Sequence, residues 1–144
     1  MNRRSTNFHC LPRRSRCGRR RGVAAAEFAV CLPVLVLLVL ATIEACTMIF
    51  LKQSLTVASY EGVRTALVSG ATPQDVRTSC EQVLSDRNIQ GAVVTLVPAN
   101  ITDLEPGDSV DVIVTAPCGD NTVLPMMFYR NRTMSATASM MIEF

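Results

Sequence analysis

Residues 19–44 read RRRGVAAAEFAVCLPVLVLLVLATIE. Three arginines end in a glycine, and from Phe28 to Ile43 no residue carries a charge. That uncharged run spans only about 24 Å as a helix, short of the roughly 30 Å hydrocarbon core of a bilayer. Its flanks complete the span: residues 23–26 precede it, and residues 45–51 follow it, interrupted only by Glu44. The pattern predicts one transmembrane helix over 23–51. Pro33 would cost roughly 3 kcal/mol inside a soluble helix, whereas membrane helices tolerate proline where neighbours satisfy the freed carbonyl. The flanking arginines and the lack of polar periodicity disfavour the alternative, a buried helix of a soluble protein.

Charge is segregated around this run. The first 21 residues hold eight arginines and no acid, so the remainder carries six basic against twelve acidic residues. The net charge of +2 describes neither part. Cations crowded at one end of an apolar segment predict a cytoplasmic N-terminus and an extracytoplasmic C-terminal part. Residues 1–22 read as a disordered basic cytoplasmic leader without apolar periodicity. Its position against the membrane segment accounts for the basicity without nucleic acid as a partner. The single histidine, His9, has Cys10 beside it but no further Cys or His pair to complete a zinc set, so no metal is expected.

The helix continues beyond the bilayer. Leu51, Leu55, Ala58, Gly62 and Ala66 form one stripe at helical spacing, and Gly70 ends the pattern. A second, amphipathic helix follows, with Thr72 as cap, Pro73 in the first turn and Asp75 at its positive end. Val76, Cys80, Val83 and Leu84 give its buried face, and it should end near Asn88. Strands are predicted over 92–97, 109–115 and 133–142, separated by the turn clusters Pro106-Gly107-Asp108 and Cys118-Gly119-Asp120-Asn121. Residues 123–129 fit either a turn or a strand. The expected fold class is α+β: a long N-terminal helix, a second helix and a small antiparallel sheet of about three strands over 52–144. Cys80 and Cys118 are the two thiols of that region, and in an oxidising compartment they predict one disulfide, with two buried free thiols as the alternative. Closing that loop would be worth roughly 4 kcal/mol in the chain-entropy model.

The junction Arg21-Gly22-Val23-Ala24-Ala25-Ala26-Glu27-Phe28 resembles the processing site of type IV prepilins and pseudopilins. The segments Ala25-Ala26-Glu27-Phe28-Ala29, Leu32-Pro33, Ile43-Glu44 and Ala58-Ser59-Tyr60-Glu61-Gly62-Val63-Arg64-Thr65-Ala66 stand in the order seen in TadE-like proteins, pseudopilin-like minor components of the tight-adherence, or Flp, pilus system. The resemblance is strongest over 20–67. The chain departs from it in Cys31, Cys46, Ser59 and a long cysteine-bearing leader. The resemblance implies cleavage between Gly22 and Val23 by a prepilin peptidase, and residence in the inner membrane with the outer domain in the periplasm. It also implies docking to other pilin-like subunits and an assembly platform through Glu27 and Phe28. A carboxylate at membrane depth is costly and calls for a partner, which is the physical content of that implied role.

Glu44 falls about 25 Å along the helix from Glu27 and reads as an interfacial acid or a partner contact. Glu61 and Arg64, three apart, can pair locally. Gly62 costs roughly 1 kcal/mol against alanine in a helix, so a close approach of another element is expected there. Rival processing signals, a signal-peptide cut near Ala41 or Ala45 and a lipoprotein-like Cys46, have poor flanking residues. The sequons at Asn100 and Asn131 matter only in a eukaryotic secretory pathway. No catalytic set, phosphate loop or cofactor signature is present, and Asp108, Asp111 and Asp120 lack EF-hand spacing. A structural or assembly component is therefore the expectation, not an enzyme. An uncleaved signal-anchored envelope protein whose outer domain binds a ligand or partner is the alternative.

Overall fold

The structure is a computed structural model and describes residues 18–102, 104–122, 129 and 131–142, with side chains from residue 22 onward. Its elements are helix α1 (Gly18–Ala66), helix α2 (Pro73–Asp86), strands β1 (Val93–Val97), β2 (Ser109–Pro117) and β3 (Thr133–Met141), and a 3₁₀ turn at Gly119–Asn121. The architecture is α+β, with a long N-terminal helix, a second helix and a three-stranded antiparallel sheet. The chain divides into two compact units, Met1–Val39 and Leu40–Phe144.

In the first unit, the side chains of α1 from Val23 to Val39 are exposed all round, including Phe28, Leu32 and Leu35. This helix is long and apolar enough to cross a membrane. Pro33 lies inside it without breaking it. The helix begins at Gly18, so residues 18–22 of the expected disordered leader are helical. Three consecutive arginines are good helix formers, and they extend the helix backward across Gly22. The rest of the leader lies outside the described residues.

Within the second unit α1 acquires a buried face. Leu51, Leu55, Ala58, Gly62 and Ala66, the predicted stripe, are all buried. Met48 is also buried, at 5 % exposure. The last residues of the expected spanning segment 23–51 thus pack on the domain, and because Glu44 is already half-buried, lipid would surround α1 on all sides only up to about residue 43. The 21 residues from 23 to 43 would still cover about 31 Å. Ser54 and Ser59 are fully buried on the same face. Their hydroxyls donate back to the carbonyls of Phe50 (2.8 Å) and Thr56 (2.9 Å), which removes the cost of burying them.

Helix α2 starts with a full capping box. The Thr72 hydroxyl accepts from the Asp75 amide at 3.3 Å, and an Asp75 carboxylate oxygen accepts from the Thr72 amide at 2.9 Å. Val76, Cys80 and Leu84 form its buried face, with Val83 half-buried against the core. The helix ends at Asp86, and the backbone turns away through Asn88 at φ 55°.

The sheet order is β1-β2-β3. Leu96 pairs with Val112 and Val112 with Ala138; Val94 pairs with Val114 and Val114 with Ala136. Val110, Val112 and Val114 of the central strand are wholly buried, as their alternation predicts. The inner face of the sheet thus packs on the buried faces of both helices in one core. The strands match the expected three, with β2 extending to Pro117. Of the segment 123–129, which fits either a turn or a strand, residues 123–128 lie outside the described residues.

Candidate functional site: helix α1 and its domain contacts

The residues expected to act in processing and docking lie on the exposed part of α1. A Cβ placed on Gly22 would meet nothing within 4 Å. Val23 and Phe28 are 57 % and 58 % exposed, and Glu27 is exposed. Glu27 follows Val23 by four residues, one helical turn, so the backbone nitrogen of Val23 and the carboxylate share a face. The side chains of this segment are exposed, which leaves its surface open to lipid or to another helix.

Glu44 is neither bare nor isolated. It is half-buried, and its carboxylate accepts a hydrogen bond from the backbone amide of Tyr129 at 3.2 Å. The helix thereby holds the loop between β2 and β3 by its main chain. Glu61 and Arg64 approach to 3.9 Å on the exposed side of α1, a pair worth no more than a few tenths of a kcal/mol.

Gly62 is where three elements meet. A Cβ there would collide with Sγ of Cys80 on α2 and lie 3.1 Å from Cγ1 of Val112 on β2. The missing side chain lets α2 and the central strand approach α1 together. The Cys80 thiol donates to the carbonyl of Ala58 at 3.4 Å. One turn away, Thr65 on α1 and Ser79 on α2 share a hydroxyl–hydroxyl bond of 3.0 Å.

The expected disulfide between Cys80 and Cys118 is corrected by this arrangement. Both cysteines are buried and free. Cys80 sits opposite Val112 through Gly62, whereas Cys118 follows six residues later, beyond the end of β2. Six strand residues span about 20 Å, far beyond the Cα separation a disulfide can bridge. Burial, and secondarily the charge of Glu81, push the Cys80 thiol up to about 11. Burial also raises Cys118, against a smaller opposing effect of Arg132. Both are protonated, unreactive core groups at neutral pH.

Two basic side chains cover the sheet edges, and sequence reasoning did not find either. Arg77 of α2 donates to the carbonyl of Val94 on β1 at 3.0 Å, and Lys52 of α1 donates to the carbonyl of Ser135 on β3. Such contacts join residues far apart in the chain and leave no local pattern. The role of Tyr129 was missed for the same reason, because its backbone amide makes the contact. Among the described residues no group of three or more His, Cys, Asp or Glu comes together to hold a metal.

No curated protein and no solved structure matches the chain. Residues 22–64, from the glycine before Val23 to Arg64 on the exposed side of α1, match the family model described as TadE-like protein.

Proposed function

We propose that this protein is a pseudopilin-like membrane component in the assembly or structure of a tight-adherence (Flp-type) pilus or secretion apparatus. It is processed after Gly22 by a prepilin peptidase. It sits in the inner membrane with its N-terminus cytoplasmic and its α+β domain periplasmic, and it docks to other pilin-like subunits and the assembly platform through α1. The observation that carries this reading is the TadE-like match, which begins at Gly22 and runs along α1 to residue 64. The exposed apolar helix supports a membrane location. The segregation of arginines to one end supports the orientation.

Cleavage would leave an α-amine at Val23 one turn from Glu27. In lipid, an ammonium and a carboxylate each demand a partner of opposite charge. Glu27 is then a docking group, drawing the terminal amine of a neighbouring subunit, and not an acid or base. Replacing Glu27 with alanine tests this. The variant should insert and fold as the parent does but fail to enter the assembled apparatus. Normal assembly by Glu27→Ala would remove the docking role.

A further inference from the structure

The β2–β3 connection returns to α1 at a particular level. Glu44 is the first charged residue after the uncharged run 28–43, so on the spanning reading of α1, on which this inference rests, it marks the exit from the hydrocarbon. Its carboxylate holds the amide of Tyr129, 85 residues away in sequence. The Arg132 amide donates to the Tyr129 carbonyl at 3.1 Å. The Cys118 amide in turn donates to the Arg132 carbonyl at 2.8 Å. The Tyr129 side chain remains 37 % exposed, and Arg132 is exposed. Two turns further up α1, the exposed Lys52 reaches the start of β3.

We propose that Tyr129, Arg132 and Lys52 form a membrane-surface contact that seats the outer domain on anionic phospholipid headgroups. Tyrosine suits this level because its ring is apolar and its hydroxyl is wet. The two cations offset Glu44, already engaged by the backbone, and complement the phosphates of an anionic bilayer. The contact fixes the end of the sheet that holds Pro117 and Thr133 toward the membrane. The opposite end, where Met141 pairs with Ser109, faces away: Gly62, ten residues beyond Lys52, already lies beside Val112. Residues 123–128 and 130 lie outside the described residues and form no part of the site.

The chain contains no tryptophan, so a single introduced one reports its own surroundings. Full-length Tyr129→Trp, Met141→Trp and Leu38→Trp variants would be reconstituted in phosphatidylcholine vesicles with and without phosphatidylglycerol. Their quenching by lipids brominated near the headgroup would then be measured. Tyr129→Trp is expected to be quenched more strongly when phosphatidylglycerol is present, and Arg132→Glu in that background to abolish the increase. Met141→Trp should stay unquenched in either lipid. Tyr129→Trp behaving like Met141→Trp, or indifferent to the anionic lipid, would overturn the proposal. Leu38→Trp, read with lipids brominated along the acyl chain, reports the spanning helix itself, so its quenching there without headgroup-level quenching of Tyr129→Trp sinks the surface contact and leaves the membrane reading standing. Tyr129 is tied through its backbone, and circular dichroism of each variant checks that the domain has folded.

Discussion

Sγ of Cys80 occupies the space that a Cβ on Gly62 would need, so the approach of α2 to α1 depends on a side chain that is not there. The same vacancy admits Val112, whose Cγ1 would lie 3.1 Å from that Cβ. One glycine near the C-terminal end of α1 thus lets α2 and the central strand close on that helix together.

Gly62→Ala should therefore destabilise the domain. Alanine recovers roughly 1 kcal/mol of helix propensity, but overpacking against a buried thiol and a buried strand costs about 1–3 kcal/mol. A net loss of about 1 kcal/mol is expected in chemical denaturation. Cys80→Ala in the same chain removes the colliding atom, so the double variant should be more stable than the sum of the two single changes predicts. Simple additivity would show that the two positions do not constrain each other.

The two buried thiols should stay reduced even after export. Denatured under non-reducing conditions, the full chain should offer both Cys80 and Cys118 to a maleimide, while the folded domain protects them. Protection of Cys80 should persist to high pH, because its thiol ionises only near 11. A Cys80–Cys118 cross-linked peptide in the mass spectrum would contradict the packing described above.

At the start of α2, Thr72→Ala should cost about 1 kcal/mol by removing the cap. The Thr72 hydroxyl, and then its amide, hold the exposed Asp75 carboxyl below the usual carboxylate range. A depressed carboxyl contributes stability above its unfolded value near 3.8 and loses it as pH falls through the lower folded value. The parent should thus lose this contribution on acidification below about pH 4, and Thr72→Ala should show a flatter profile over the same range. Parallel pH profiles in a thermal melt would show that the box contributes nothing.

Much of the fold was legible because it is periodic. The stripe from Leu51 to Ala66, the cap at Thr72 and the alternation of Val110, Val112 and Val114 are each written within a few residues. The error at Cys80 and Cys118 arose because two thiols reveal nothing of the distance between them; that distance is set by the register of α1 on β2. The contacts of Glu44, Lys52 and Arg77 were hidden because each ends on a main-chain atom of a distant segment. Gly62 was suspected from its helix penalty, but its neighbours could be named only from the packing. The helical start at Gly18 shows an arginine run joining the helix it was expected only to precede.

The central claim is that α1 enters the membrane as a leader-bearing precursor and is trimmed at its glycine. Intact-mass and N-terminal peptide measurements on the full chain, expressed in cells that carry a prepilin peptidase, test it most directly. The account predicts a mature protein beginning at Val23 and a longer product when the peptidase is absent. A protein still beginning at Met1 in the presence of the peptidase, or one beginning near Cys46, would contradict it.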